Sequence, residues 1–354
     1  MKVLVTGGGG FLGGAVVRRL LDRGNTVRSL QRGDYAWLDE AGVESIRGDL
    51  ADRDTVERAV RGCDAVLHVA AKAGVWGPRR EYEAANVTGT RHVIEACLRE
   101  GVARLVYTSS PSVVFDGADE EGIDERAAYP HRYLADYPRT KALAEQAVLA
   151  ANGPRLATLA LRPHLIWGPG DPHLVPRIVA RARAGRLRLV GSGANRVDST
   201  YIDNAADAHL AALDRLAPGA ACAGRAYFIS NGQPLPMREL VGRILAAAGL
   251  PRELRSLPPP LAYALATALE GAWRMLRRVD EPPLTRFVVR QLATAHWFDL
   301  TAARRDLGYE PRVTLDEGFA RLRAWLEGGA PGPSLLPSGT GIVHAARSQP
   351  VQRQ

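Results

Sequence analysis

Residues 2–13 read Lys2-Val-Leu-Val-Thr-Gly-Gly-Gly-Gly-Phe-Leu-Gly13. Residues 2–6 form a short apolar run that is typical of a buried strand in a parallel sheet. The glycines that follow, and then an amphipathic segment to Arg23, predict a strand, a tight turn and a helix. The turn has the spacing Gly-x-x-Gly-x-x-Gly, from Gly7, Gly10 and Gly13. It would let backbone N–H groups at the helix N-terminus approach a pyrophosphate, although a flexible glycine loop could have the same composition.

The same alternation of short apolar runs and helical patterns continues along the chain. Strand-like runs occupy residues 26–30, 43–47, 65–69, 104–108 and 156–161. Helical patterns occupy residues 52–61, 86–99 and 136–150. This alternation predicts an α/β fold with a doubly wound parallel sheet, the Rossmann arrangement, in which ligands bind at the carboxyl ends of the strands.

The pattern changes after residue 174 to helices separated by short strands and prolines. We therefore expect an NAD(P)-binding Rossmann domain over residues 1–174 and a smaller mixed substrate-binding region over residues 175–328, with some sheet strands shared between them. Residues 329–354 are rich in Gly, Pro, Ser and Gln and lack periodicity, which predicts a disordered tail.

The end of the second strand bears on the choice of cofactor. A dinucleotide fold that binds NAD usually places an acidic residue there, where it holds the ribose 2′-hydroxyl. This chain has Gln31-Arg32 instead. A guanidinium can pair with a 2′-phosphate, so Arg32 favours NADP over NAD, unless it is an ordinary surface residue of an arginine-rich protein.

Tyr137 and Lys141 have the spacing Tyr-x-x-x-Lys, and the chain contains only two other lysines, Lys2 and Lys72. On a helix over residues 136–150 the two side chains would lie on one face, about a turn apart. A nearby ammonium stabilises a phenolate and lowers the pKa of a tyrosine. The alternative is a chance pair on a solvated helix face.

The fifth predicted strand ends in Ser109-Ser110-Pro111-Ser112, at the edge of the sheet where the glycine-rich turn also lies. A ketone that accepts a hydride develops alkoxide charge, which Ser110 can stabilise by a hydrogen bond while Tyr137 donates a proton. Lys141 can hold the nicotinamide ribose. These residues predict a reductase site, although a pair of serines at a strand end is also common turn chemistry.

The composition argues against several other classes of function. The chain has 354 residues, a net charge of +8 and 46% hydrophobic residues. Its arginines are spread along the chain, which does not indicate a nucleic-acid-binding protein. Cys63, Cys97 and Cys222 lack metal-ligand spacing, so we expect no metal. Met1-Lys2 leads directly into the first strand, so we expect no signal peptide and a cytoplasmic protein, with peripheral membrane association left open.

Residues 258–278 form an apolar helical pattern with a basic end. Leu261, Leu265, Ala268 and Leu269 would share one face. Three interpretations are open: a packed helix of the substrate region, the wall of a channel for alkyl chains, or a helix that lies on a membrane surface. Of the two functional interpretations, the small aromatic content of the chain favours the channel.

Several segments of the chain resemble the extended short-chain dehydrogenases/reductases. The matching segments are Thr6–Gly13, Gly48–Leu50, His68–Ala71, Asn86–Thr90, Tyr107–Ser110, Tyr137–Lys141, Arg162–Asp171 and Leu307–Pro311. The resemblance implies Ser110, Tyr137 and Lys141 as catalytic residues and a mainly structural role for Asn86. It implies cofactor contacts from Gly7, Gly10, Phe11, Leu12, Gly13, Arg32, Asp49, Leu50, Ala70, Ala71, Lys72, Tyr137, Lys141, Pro163 and Leu165.

Within that family, residues 197–204 with His209 resemble the 3β-hydroxysteroid and sterol-carboxylate dehydrogenase branch. Nucleotide-sugar enzymes of the family carry an arginine two residues before the tyrosine of this segment, where this chain has Ser199. Residues 73–77, 162–171, 227–237 and 283–287 resemble the 2-alkyl-3-oxoalkanoate reductases of bacterial olefin synthesis more narrowly.

This narrower resemblance implies the NADPH-dependent reduction of a long-chain β-keto acid and, as partners, the β-lactone synthetase and the β-lactone decarboxylase of the same pathway. A homo-oligomer is also open. Lys72 and His164 are candidates for holding the substrate carboxylate, although each could be ordinary loop chemistry. A 3β-hydroxysteroid or sterol-4-carboxylate dehydrogenase is the alternative enzyme, and a non-catalytic NADP-sensing regulator is the alternative from another class.

Overall fold

The computed structural model describes residues 1–328, so the tail predicted for residues 329–354 lies outside the described residues. The strands are β1 (Lys2–Thr6), β2 (Thr26–Gln31), β3 (Glu44–Arg47), β4 (Ala65–His68), β5 (Arg104–Thr108), β6 (Glu120–Ile123), β7 (Ala157–Pro163), β8 (Ile166–Trp167), β9 (Arg188–Val190), β10 (Arg196–Val197), β11 (Thr200–Tyr201), β12 (Arg225–Ile229), β13 (Leu235–Pro236), β14 (Arg255–Leu257) and β15 (His296–Phe298). The helices are α1 (Phe11–Asp22), α2 (Ala36–Glu40), α3 (Arg53–Val60), α4 (Arg79–Tyr82), α5 (Gly89–Glu100), α6 (Asp136–Ala150), α7 (Leu174–Arg183), α8 (Ile202–Arg215), α9 (Met237–Ala247), α10 (Pro259–Met275), α11 (Arg286–Ala293) and α12 (Leu315–Glu327).

The main sheet has seven strands in the order β12-β7-β5-β4-β1-β2-β3, and all neighbouring strands are parallel. The strand order reverses direction at β1, as in a doubly wound fold. This confirms the predicted Rossmann sheet, and the strands predicted at 2–6 and 104–108 have the predicted bounds.

Helices cover both faces of this sheet. In β1, Val3 and Val5 belong to the core under α1 and α8, whereas Leu4 belongs to the core under α3, α5 and α6. Successive side chains of a strand point to opposite faces, so a strand covered on both faces needs apolar residues at every position. The continuous apolar run in the sequence is therefore explained.

The C-terminal half adds smaller sheets and returns one strand to the main sheet. β12 pairs with β7 at the edge of the seven-stranded sheet, although it lies beyond residue 174. A second sheet has the order β13-β10-β15-β6, and β11 with β8 and β14 with β9 form two pairs. The division into two domains that share sheet strands stays a prediction.

Helix α10 lies within the predicted segment 258–278. Its buried side faces α11 and carries Ala262 and Ala266, which are fully buried. Leu261 is 57% exposed and Leu265 is 47% exposed, so the predicted apolar face points outward. The packed-helix interpretation is therefore wrong for these two leucines, and their exposure weighs against the channel wall. Within residues 1–328, none of the helices combines the length and the apolar character needed to cross a bilayer.

Candidate active site

Apart from Tyr137 and Lys141 on α6, the predicted site residues follow the carboxyl ends of six neighbouring strands of the main sheet. Pro163 and Leu165 lie at the end of β7, Ser110 follows β5, and Ala70 to Lys72 follow β4. The glycine-rich turn follows β1, Arg32 follows β2, and Asp49 and Leu50 follow β3. Because the strands are parallel, all these segments meet at one edge, where a dinucleotide fold binds its ligand.

The glycine-rich turn is tight enough to exclude side chains at two of its glycines. Gly7 has φ +73°, and a Cβ on Gly13 would lie 2.0 Å from the Gly7 carbonyl oxygen. Phe11 is the first residue of α1, and the next residue, Leu12, is buried. The residue that precedes α1 is Gly10, which has no side chain to cap the helix, and the first turn of α1 carries no acidic residue. Its N–H groups therefore fit a pyrophosphate.

Arg32 is exposed at the end of β2, beside the turn. Tyr35 packs against the same turn, since a Cβ on Gly9 would lie 2.1 Å from the Tyr35 ring. Asp49 accepts a hydrogen bond of 2.9 Å from the Ala51 N–H, so its carboxylate takes part in the turn after β3. Leu50 is buried and packs on Gly89 of α5.

Ser110, which follows β5, lies next to Tyr137 in the first turn of α6, close enough to lower the pKa of the phenol. Ser110 Oγ also accepts a bond of 3.0 Å from the Ser112 hydroxyl. Burial raises the pKa of Tyr137, and the neighbouring Ser110 hydroxyl lowers it. The phenol is therefore held protonated beside a serine hydroxyl, an arrangement that can donate a proton and a hydrogen bond to one oxygen.

The Lys141 side chain is 2% exposed and donates a hydrogen bond to the carbonyl oxygen of Thr108, at the end of β5. Its ammonium lies 4.1 Å from the centre of the Tyr107 ring. Burial lowers the pKa of Lys141 to about 7, and Glu145 opposes this shift. That Lys141 lowers the pKa of Tyr137 stays a prediction.

A buried ion pair fixes the helix that carries both residues. Glu145 lies one turn after Lys141, is fully buried, and accepts a bond of 2.6 Å from the Arg162 guanidinium in β7. Tyr129 donates a further bond of 2.6 Å to Glu145. These contacts connect α6 to β7 immediately behind the site.

Asn86 connects the loop after β4 to α6. Its Oδ1 accepts a bond of 2.7 Å from the Lys72 N–H, and its Nδ2 donates to the Lys72 carbonyl and to the Thr140 hydroxyl. Asn86 lies in a π-helical turn, Glu83–Thr88, a feature that often occurs at functional sites. The Lys72 ammonium pairs with Glu81 at 2.9 Å.

A second buried chain of hydrogen bonds supports the glycine-rich turn. Thr6 Oγ1 accepts from the Ala70 N–H at 3.0 Å and lies 2.8 Å from His68 Nδ1. His68 Nε2 lies 3.0 Å from Thr90 Oγ1. Burial and the nearby Lys141 lower the pKa of His68 to about 3, so the ring is neutral at ordinary pH. Ala71 continues this loop towards Lys72.

The chain after β7 contains a strained residue. Leu165 has φ +40°, which is rare for a residue with a side chain. Its carbonyl accepts from the Thr200 N–H at 3.2 Å, and the Thr200 hydroxyl donates to the His164 carbonyl at 2.7 Å. The His164 ring is buried against His296, with centroids 5.2 Å apart, and burial lowers its pKa.

Sequence reasoning missed three supporting roles. Thr108 connects Lys141 to His209, Glu145 pairs with Arg162, and Tyr35 covers the glycine-rich turn. Glu145 has a local signal, since it lies one turn beyond Lys141 on the same helix. The contact between Thr108 and His209 has none, because 101 residues separate the partners in the chain.

Comparison with known proteins identifies a matching family model and similar proteins. The model of the 3-beta hydroxysteroid dehydrogenase/isomerase family matches residues 4–259. The chain is 56% identical over 326 residues to the 2-alkyl-3-oxoalkanoate reductase of Stenotrophomonas maltophilia (strain K279a), which covers 92% of this chain and 99% of that protein. It is 49% identical over 330 residues to the 2-alkyl-3-oxoalkanoate reductase of Shewanella oneidensis, covering 91% and 85%.

A sterol enzyme and a solved structure are also similar. The chain is 35% identical over 325 residues to the decarboxylating sterol-4-alpha-carboxylate 3-dehydrogenase of Mus musculus, covering 90% of this chain and 89% of that protein. The structure of MoeE5 in complex with UDP-glucuronic acid and NAD superposes with a TM-score of 0.71 at 26% identity, covering 93% of this chain and 99% of that one.

Proposed function

The chain belongs to the 3-beta hydroxysteroid dehydrogenase/isomerase family, a branch of the extended short-chain dehydrogenases/reductases, and we propose that it reduces 2-alkyl-3-oxoalkanoic acids to 3-hydroxy acids with NADPH. The family makes it an oxidoreductase that interconverts a ketone and an alcohol. The observation that carries the proposal is the placement of Ser110 next to Tyr137 at the strand edge that also holds the glycine-rich turn. The 56% identity to a 2-alkyl-3-oxoalkanoate reductase supports the substrate class.

The residues at the edge of the sheet fit a dinucleotide. The N–H groups at the start of α1 would hold the pyrophosphate, and Lys141 would hold the nicotinamide ribose. Arg32 is exposed where a 2′-phosphate would lie, which supports NADPH over NADH. When bound, NADPH supplies the hydride for the ketone carbon.

The residues of the chain itself handle the oxygen and the proton. Ser110 Oγ donates a hydrogen bond to the substrate ketone oxygen, which stabilises the negative charge that develops there. Tyr137 donates its proton to the same oxygen. A proton donor must be protonated before the reaction, and the burial that raises the pKa of Tyr137 favours that state. The pairing of Glu145 with Arg162 keeps α6, and therefore Tyr137, in register with β7.

One contact argues against a sugar-nucleotide substrate. Ser199 is 3% exposed, and its hydroxyl accepts the Trp167 indole N–H at 3.0 Å. Its side chain is thus occupied inside the fold and could not replace the phosphate-binding arginine of the nucleotide-sugar enzymes.

Sterol-carboxylate dehydrogenation is the second candidate, favoured by the family model and by the sterol relative. Both reactions interconvert a β-keto acid and a β-hydroxy acid, so the chemistry of the site is the same. The purified protein should be assayed with NADPH and a 2-alkyl-3-oxo acid, and in parallel with NADP or NAD and a 4-carboxysterol. Turnover of the acyclic acid alone supports the proposal. Turnover of the sterol alone contradicts it, and turnover of neither supports a regulator.

The reaction also implies neighbours in a sequence of reactions. A 2-alkyl-3-oxo acid is the product of a condensation of two acyl chains, and a β-hydroxy acid can be closed to a β-lactone and then lose carbon dioxide to give an olefin. We therefore propose that a β-lactone synthetase and a β-lactone decarboxylase use the product in turn.

A further inference from the structure

We propose that the outward face of α10 docks onto an anionic lipid surface. This face, called here the α10 face, consists of Leu261, Ala264, Leu265, Ala268, Ala272 and Met275. At 100° per residue these six positions lie within about 100° of one another around the helix axis. The exposed residues of α10 as far as Gly271 are all uncharged: Pro259, Pro260, Leu261, Ala264, Leu265, Thr267, Ala268 and Gly271. A helix that faces water ordinarily carries charged residues there.

The opposite side of the helix fixes this orientation. Ala262 and Ala266 are fully buried and pack in one cluster with Val289 of α11. Glu270 is 5% exposed, accepts the Arg286 N–H at 2.7 Å and pairs with the Arg286 guanidinium at 2.9 Å. The leucines point outward because small residues and a buried ion pair hold the other side against α11.

The apolar surface continues past the end of the helix. Met275, Leu276 and Val279 are 79%, 61% and 75% exposed. Within residues 1–328, eight large hydrophobic side chains are exposed, and five of them fall between Leu261 and Val279. Single exposed apolar residues are normal on a protein surface, whereas a contiguous group marks an interaction site.

The charges around the α10 face select the occupant. At its C-terminal end Arg274, Arg277 and Arg278 are exposed, and of these Arg274 pairs with Glu270 and Arg278 pairs with Asp280. At its N-terminal end lies the β9–β14 pair, in which Arg188 is in register with Arg255, and both are exposed. Two copies that met through this face would bring basic ends together in either orientation, which is unfavourable. An apolar strip with arginines at both ends is instead complementary to anionic headgroups and acyl chains.

The docked face would bring the loop that follows Lys72 close to the lipid. The Trp76 indole N–H donates to the Arg278 carbonyl at 3.3 Å, and the Arg274 guanidinium lies 5.5 Å from the Trp76 ring centre. Trp76 belongs to the loop between Lys72 and Tyr82. The lipid proposal rests on the surface alone and does not require the proposed substrate.

The test is vesicle flotation of the full chain without substrate or cofactor. Vesicles of phosphatidylcholine are compared with vesicles of phosphatidylcholine and phosphatidylglycerol. We expect the wild type to float with the anionic vesicles and to be released by salt. The double variant Leu261→Glu, Leu265→Glu should lower the bound fraction by about tenfold or more, since two apolar side chains no longer enter the bilayer. The triple variant Arg274→Gln, Arg277→Gln, Arg278→Gln should bind less and lose its salt dependence.

Leu143→Glu is the matched control, because Leu143 is 41% exposed on α6, outside the α10 face. It should bind as the wild type does. If the double variant melts much lower than the wild type, Met275→Glu replaces it, since Met275 is 79% exposed. The proposal is overturned if the wild type does not float with anionic vesicles or if the Glu variants float equally well. It is also overturned if light scattering shows a dimer that the Glu variants abolish, because the face would then belong to a second copy.

Discussion

The hydroxyl of Thr108 lies 2.7 Å from Nε2 of His209, while the carbonyl oxygen of the same threonine accepts the Lys141 ammonium. His209 Nδ1 donates to the Ala205 carbonyl at 2.7 Å, so Nε2 must accept from Thr108. Burial lowers the pKa of His209 to about 4 and keeps the ring neutral. A helix on one face of the sheet thereby positions the residue that holds the lysine.

This relationship predicts coupling between Thr108 and His209. His209→Ala should lower the free energy of unfolding by about 1–3 kcal/mol, because it leaves a buried hydroxyl without its partner. Thr108→Val should lower the free energy of unfolding much less in the His209→Ala background than in the wild type. Chemical denaturation of the two single variants and the double variant measures this, and additive effects would mean that the contact contributes nothing.

Lys141→Ala should raise the KM for NADPH and lower kcat together, since the ammonium is proposed to hold the ribose and to assist Tyr137. In the wild type the pKa of Lys141 is about 7, so the ammonium is lost as pH rises through that value. The KM for NADPH should therefore rise above about pH 7 in the wild type and stay high and flat in Lys141→Ala. Parallel pH profiles for the two proteins would exclude this role.

Arg32→Ala should weaken the binding of NADPH far more than the binding of NADH. A charge-assisted hydrogen bond contributes about 1.5–3 kcal/mol, so the preference for NADPH should fall by roughly 10–150-fold. Arg61→Ala serves as the control, because Arg61 is exposed at the end of α3, away from the strand edge. Equal losses of affinity for both cofactors would show that Arg32 does not recognise the 2′-phosphate.

The buried carboxyl of Glu120 should make the stability of the protein depend on pH. It is 7% exposed, and burial raises its pKa from 4.5 to about 8. Between these two values the folded state binds more protons than the unfolded state, so this group lowers stability as pH rises and its effect levels off above about pH 8. Glu120→Gln removes the effect, and its stability relative to the wild type should grow by a few kcal/mol from pH 5 to pH 8. Thermal unfolding of both proteins across this range is the measurement, and a constant difference would show that Glu120 titrates normally.

The parts of the site that depend on local spacing could be predicted from the sequence. Tyr137 and Lys141 lie on a helix with the predicted bounds, 136–150, because both residues and the helix signal are contained in one segment. Arg32 follows directly from the end of a strand. These inferences need only the parallel sheet, which brings all strand ends to one edge.

The orientation of α10 could not be predicted in this way. Periodicity identified the leucine face, and burial of leucines is the usual expectation. The structure instead buries Ala262 and Ala266, whose small side chains allow close approach to α11, together with the ion pair of Glu270. The partners that decide this arrangement lie in a different helix, so the segment alone does not contain the answer.

The central claim is that Tyr137 protonates the oxygen of a 2-alkyl-3-oxo acid as it is reduced. The most direct measurement follows the label from NADPH deuterated at the transferable position into the product by mass spectrometry, with wild type and Tyr137→Phe side by side. We expect the wild type to give a 2-alkyl-3-hydroxy acid with one deuterium at C3. Tyr137→Phe should bind NADPH normally but form this product at least about 10²-fold more slowly. Absence of labelled product from the wild type, or equal rates for the two proteins, would contradict the account.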